Sequence, residues 1–189
     1  MSEALPQNRL VFETELGFVA IAWSQVGLTR LALPERDREA AERRAARWTA
    51  ETVATLDEAP AFVSEAVALI RRYAQGEAID FSVLPLDLAG IDPFRRAIYA
   101  AALKLGQGEV TTYGELADHA GFPRMARETG AALGRNPLPL VVPCHRILAA
   151  GGKIGGFSAP GGTVTKERLL SHEGVQLGPP PPAQASFAF

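Results

Sequence analysis

A thiol and an imidazole stand side by side at Cys144-His145, inside the run Val141-Val142-Pro143-Cys144-His145-Arg146. A cysteine next to a base is a nucleophile candidate, because the thiolate is the reactive form and an ordinary thiol, of pKa ~8.5, is mostly protonated at neutral pH. This is the only cysteine among 189 residues. A lone cysteine is most often a small buried hydrophobe. Here, however, the apolar run Leu138-Pro139-Leu140-Val141-Val142 ends in a proline that stiffens the backbone, and the polar pair His145-Arg146 follows at once, a pattern that presents a side chain. One cysteine also excludes an intramolecular disulfide framework and multi-cysteine zinc or iron-sulfur sites. No metal and no cofactor are expected.

The elements that must position this thiol follow from patterning. With 47% hydrophobic residues the chain has enough apolar surface for a core, arranged as one large domain or two small ones. No run of about 18 apolar residues occurs, and the N-terminal residues lack the charged-then-apolar order of a secretory signal, which predicts a cytoplasmic protein. The net charge of -2 does not advertise a nucleic-acid partner. Locally the balance differs: between residues 121 and 136, Arg124, Arg127 and Arg135 stand against Glu128 alone.

Leu10 to Phe12, Phe18 to Trp23 and Leu28 to Leu33 read as strands of a small antiparallel sheet, punctuated by Gly17 and Gly27. Residues 35 to 51 mix charge and alanine as an exposed helix does. Phe62, Ala66, Leu69, Ile70 and Tyr73 fall at helical spacing before Gly76. Ile79 to Val83 is strand-like. Asp92-Pro93 marks a helix start, with a capping carboxylate and a proline at the first position. Thr112 to Glu115 has the spacing of a capping box, Gly121-Phe122-Pro123 makes a turn, and Met125 to Leu133 reads as a helix. Residues 112 to 134 thus have helix-turn-helix order. A glycine-rich loop over 149–162 and a helix from Lys166 to His172, ended by Gly174, complete the pattern. The predicted class is α+β: an N-terminal sheet with helices over 1–90, a mainly helical unit over 91–176, and a Pro-rich mobile tail over 177–189.

The helix-turn-helix, Gly134-Arg135-Asn136-Pro137, Pro143-Cys144-His145-Arg146 and Lys166 to Glu173 together resemble the O6-alkylguanine-DNA alkyltransferases (methylated-DNA-protein-cysteine methyltransferases) in order and spacing. The resemblance spans about Pro93 to Gly174, with a looser match over the N-terminal strands. It implies a monomeric DNA-repair protein that transfers the alkyl group of O6-alkylguanine, or O4-alkylthymine, in duplex DNA to Cys144 in a single turnover. In such a protein His145 takes the thiol proton through a water, Glu173 fixes the imidazole, and Tyr113 donates a hydrogen bond to the departing base. Leu133, Asn136, Pro139, Phe157 and Ser158 match pocket positions, with Asn136 bracing the turn before the cysteine strand. Arg127 matches an arginine inserted into the stack when the nucleotide is flipped out. Arg124, Ala126, Gly130 and Arg135 join it on a surface for the minor groove.

Three features depart from the family pattern. Phe157 stands where tyrosine is frequent, Ala159-Pro160 is an insertion, and Glu128 adds negative charge beside Arg127. The alternative within the resemblance is an alkyltransferase-like protein that binds lesions without reacting; such proteins lack the acceptor cysteine present here. A cysteine hydrolase built on Cys144 and His145 competes weakly, since adjacent residues orient a direct nucleophile-base pair poorly. A transcription regulator would need base-reading side chains that the small residues around Arg127 do not supply.

Overall fold

Alternation of apolar residues along the first strands gives the sheet two buried faces. In the computed structural model, which describes residues 8–48, 51–52 and 55–178, β1 (Asn8–Thr14), β2 (Gly17–Trp23) and β3 (Leu28–Glu35) form an antiparallel meander. A two-residue strand not expected from the sequence, β4 (Glu51–Thr52), adds parallel to β1, so the sheet order is β3-β2-β1-β4. Leu10, Phe12, Val19, Ile21 and Leu31 point to one face and pack with α2 (Ala61–Ala74). Val11, Ala20 and Ala32 point to the other and meet α1 (Arg38–Ala45), with Trp48 closing that cluster. The charged helix is shorter than the composition of 35–51 predicts because Asp37 caps it, accepting from Ala40 N at 2.8 Å.

The strand expected over Ile79 to Val83 is not one. Asp80 accepts from Ser82 N at 2.9 Å and turns Phe81–Val83 into a short 3-10 helix, a local side-chain bond winning over β propensity. The second half starts where Asp92-Pro93 predicts: Asp92 Oδ1 accepts from Arg95 N at 2.9 Å and opens α3 (Pro93–Ala102). Thr112 and Glu115 cap each other reciprocally at the head of α4 (Tyr113–His119). A turn containing Gly121 then leads into α5 (Ala126–Leu133). Two short parallel strands, β5 (Thr111–Thr112) and β6 (Ile147–Leu148), were not legible in the sequence. Their register, Thr111 opposite Ile147, ties the start of α4 to the segment just past Cys144. α6 (Gly162–His172) begins four residues earlier than expected, inside the glycine-rich loop.

One apolar core runs through both halves, from Leu10 and Ile21 through Ile98 and Leu133 to Cys144 and Leu169. A backbone bond stitches the seam between them, Leu31 N to Pro137 O at 2.9 Å. Among the described residues no helix is long and apolar enough to cross a membrane. The tail expected to be mobile lies outside the described residues from 179 onward.

Candidate active site

Cys144 does not lie on a strand, as the sequence implied, but opens a single 3-10 turn, Cys144–Arg146. Pro143 precedes it and its carbonyl accepts from Arg146 N at 2.9 Å, so three consecutive polar or reactive side chains fan out from one tight turn. The apolar run before it is buried as expected, with Leu138, Leu140, Val141 and Val142 all at 2% exposure or less. Asn136 holds the run to the end of α5: its Nδ2 donates to Val142 O at 2.9 Å and its Oδ1 accepts from Leu138 N at 3.0 Å. Leu140 lies in the left-handed region at φ 78, rare for a residue with a side chain.

Behind the thiol sits a buried polar cluster. His145 is fully buried and its Nε2 lies 2.7 Å from Glu173 Oε1. Glu173, at the C-terminal end of α6, is 8% exposed, not the solvated helix end its position would suggest alone. Arg146 grips the same carboxylate with two bonds, Nε to Oε2 at 2.8 Å and Nη2 to Oε1 at 2.9 Å, and its Nη1 donates to Leu105 O at 2.6 Å. Burial alone would raise the Glu173 pKa, yet hydrogen bonds and charge from His145 and Arg146 outweigh it and hold the carboxyl at about 2. An ionised Glu173 can only accept, so His145 Nε2 carries the proton and Nδ1, itself buried and without a protein partner, is the basic nitrogen.

Burial sets the protonation of the remaining groups. It lowers the His145 pKa, with the Arg146 and Lys166 charges adding to the effect and Glu173 opposing it. It raises the Cys144 pKa, against the pull of the Asn136 amide and the Lys166 charge. The resting pair is therefore neutral thiol and neutral imidazole. Lys166, fully buried, donates to Ile147 O and to Gly156 O, fastening the glycine-rich loop to α6. Burial brings its pKa down to about 8, with the Cys144 charge opposing.

The thiol borders two chambers. A cavity of about 510 Å³ faces α5 and is bounded by Tyr113, Arg127, Gly130, Leu133, Phe157 and Ser158. Tyr113 reaches it because β5 and β6 pair just before α4, and its hydroxyl donates to Gly156 O at 3.2 Å. Gly155 has φ +70, and a Cβ there would come within 3.2 Å of the tyrosine ring, so this position requires glycine. Ala126 also borders this cavity, while Arg127 and Glu128 are exposed on the same helix. A second chamber of about 240 Å³ also meets Cys144 and adjoins the first, sharing Leu133, Phe157 and Ser158 with it. It is walled by Asn136, Pro139 and Ala159-Pro160, and by Arg30, Arg44 and Trp48 of the N-terminal half. Arg124 and Arg135 border neither chamber; both are exposed at the two ends of α5.

Three polar groups of the cluster went unrecognised in the sequence. Arg146 was visible beside the thiol, but nothing in its position told where the guanidinium goes. Lys166 carried a signal: it shares a helical stripe with Leu169, Leu170 and Glu173 at spacings of three, four and seven, an apolar face on which a lysine must be buried. Tyr73 reads as a core aromatic of α2, yet its hydroxyl donates to Glu173 Oε1 at 2.9 Å from 100 residues away.

The chain is similar to known proteins in both sequence and fold. Residues 93–175 match the 6-O-methylguanine DNA methyltransferase DNA-binding domain. A methylated-DNA-protein-cysteine methyltransferase of Mycobacterium bovis is 35% identical over 158 residues, covering 84% of this chain and 86% of the relative. The mouse protein of that name is 30% identical over 185 residues, covering 95% and 87%. Among solved structures, Mycobacterium tuberculosis OGT in complex with DNA superposes with a TM-score of 0.70 at 31% identity, covering 88% of this chain and 92% of that one. The O6-methylguanine-DNA methyltransferase of Pyrococcus kodakaraensis gives 0.66 at 26% identity, covering 88% and 99%. With relatives this similar across most of both chains, and with the same fold, the chain belongs to the methylated-DNA-protein-cysteine methyltransferases.

Proposed function

We propose that the protein repairs alkylated DNA by moving the alkyl group from O6 of guanine, and from O4 of thymine, to Cys144, once per molecule. The carrying observation is Cys144 at the wall of a cavity facing α5, backed by the His145-Glu173 pair. In this reading the cytoplasmic monomer has two working units, residues 1–90 and 91–176. The second applies its helix-turn-helix, α4 to α5, to the minor groove. Arg127 fills the space left by the flipped nucleotide, and Arg124, Ala126, Gly130 and Arg135 lie along the DNA. A flipped base enters between Tyr113 and α5, where Leu133, Phe157 and Ser158 desolvate it.

The chemistry is substitution at carbon. His145 Nδ1 takes the Cys144 proton through a bridging water, the S–C bond forms as the C–O6 bond breaks, and the leaving electrons remain on the guanine. Tyr113 donates a hydrogen bond to the departing base, and the thiol proton held by His145 is passed on to the guanine anion, leaving ordinary guanine and a neutral thioether. Because the resting thiol is neutral and its pKa raised, the thiolate forms only when an acceptor of the charge is in place. No second cysteine exists in the sequence to restore the first.

Incubation with a duplex containing O6-methylguanine should add one methyl to the intact mass, located on Cys144 and absent from Cys144→Ala. Tight lesion binding with no mass gain would instead identify a non-reacting lesion binder.

A further inference from the structure

The end of α2 and the end of α6 are joined by two hydrogen bonds between adjacent positions. His172 Nε2 lies 2.7 Å from the Tyr73 carbonyl and donates to it, while the Tyr73 hydroxyl donates to Glu173 Oε1 at 2.9 Å. The tyrosine ring leans on His172 at 5.0 Å between centroids and on Phe81 at 5.8 Å, and the residue is 1% exposed. Glu173 Oε1 thereby takes three donors, from Tyr73, His145 and Arg146, while Oε2 takes one from Arg146. A carboxylate held this way can neither rotate nor concentrate its charge on the imidazole.

We propose that Tyr73 is a positioning residue for alkyl transfer: its hydroxyl, supplied by the N-terminal half, sets how strongly Glu173 draws on His145. The proposal rests on the reading that His145 receives the thiol proton. Tyr73 touches neither thiol nor base and acts through the carboxylate alone. The charged and titratable groups around the imidazole come from three elements: Cys144 and Arg146 from its own turn, Lys166 and Glu173 from α6, and Tyr73 from α2. His172 faces the tyrosine carbonyl rather than the carboxylate. With one donor removed, Glu173 has more charge to offer His145. The imidazolium is then favoured, and His145 stays protonated, and useless as a base, up to a higher pH.

Tyr73→Phe in the full chain deletes the hydroxyl and keeps the ring on His172 and Phe81. Single-turnover methyl transfer should slow roughly 3- to 10-fold on the acid limb, where His145 now stays protonated, the range expected for losing one hydrogen bond, and change little at neutral pH. Lesion affinity should stay unchanged. The acid limb of the rate profile and the His145 midpoint in an imidazole NMR titration should move together to higher pH. An unchanged limb and midpoint overturn the proposal, also when transfer is slower, since that result makes Tyr73 a packing contact only. In the parent protein the same titration should find His145 neutral below the ordinary histidine range; an ordinary or raised midpoint overturns the proposal without any variant. Failure of the parent to transfer methyl would overturn the proposed function and leave the titration to judge Tyr73 separately.

Discussion

Glu173 carries two tasks that draw on one charge. It accepts the His145 proton donor and it neutralises Arg146, which is only 4% exposed. Glu173→Gln keeps the shape and removes the charge, leaving a guanidinium uncompensated in the interior, a defect that costs ~3–5 kcal/mol. Methyl transfer by this variant should drop about 100-fold, as the imidazole loses its fixed tautomer, and its urea midpoint should fall; a variant as fast as the parent would remove Glu173 from the proton path. The same two residues set the acid sensitivity. Both pKa values are lower in the folded chain, so their stabilising effect is complete above the unfolded values and is lost on acidification. The loss starts below pH 6.5, where unfolded chains protonate His145 and folded ones do not, and deepens from pH 4.5 towards about 2 as Glu173 protonates. Melting temperature against pH should show both steps, with only the upper one left in Glu173→Gln. The sequence shows Cys144, His145 and Glu173 in a recognisable frame because their spacing is local to a turn and a helix end. The donors that complete the cluster, Arg146 and Tyr73, were not legible, since a side chain's destination depends on which elements meet around it.

Two elements aim the site. The β5-β6 pair, two residues on each side, brings Tyr113 to the turn of Cys144. α5 supplies the opposite wall, and it is entered through Arg124 in the left-handed region at φ 66, a conformation that costs a side-chain-bearing residue ~1–3 kcal/mol. Arg124→Gly should relieve that strain and raise the melting temperature, while weakening binding to duplex DNA and flattening its salt dependence by about one charge, if the arginine is spent on a phosphate. A glycine variant that binds as tightly as the parent would take Arg124 off the DNA surface. Long periodic segments were legible in advance: the meander, α2, and the capped starts of α3 and α4 follow from alternation, helical spacing and Asp92 or Thr112. Short pieces were not. β4, β5 and β6 are each two residues long and exist only through partners distant in sequence, and Phe81–Val83 was decided by one carboxylate, Asp80.

The two halves share one apolar core, and the smaller chamber at Cys144 lies on their seam, between Trp48 and Arg44 on one side and Pro139 and Ala159 on the other. Its 240 Å³ exceeds the ~150 Å³ that holds a benzene molecule in an engineered protein cavity. An alkyl group leaving O6 for the sulfur can settle there. Methylated protein should therefore melt within a few degrees of the unreacted form. Adducts too large for the chamber crowd its walls and should lower the melting temperature further, at the ~1–3 kcal/mol typical of overpacking. A melting series over alkyl groups of increasing size checks this, and a full drop already at methyl would show that the chamber is not where the group goes. Cys144 is itself a member of the core, 8% exposed among Leu133, Leu140 and Val142. Every repair event is then a substitution in the hydrophobic interior, written by the substrate after synthesis, and the fold must be stable with two different side chains at position 144, of which its gene encodes only the smaller.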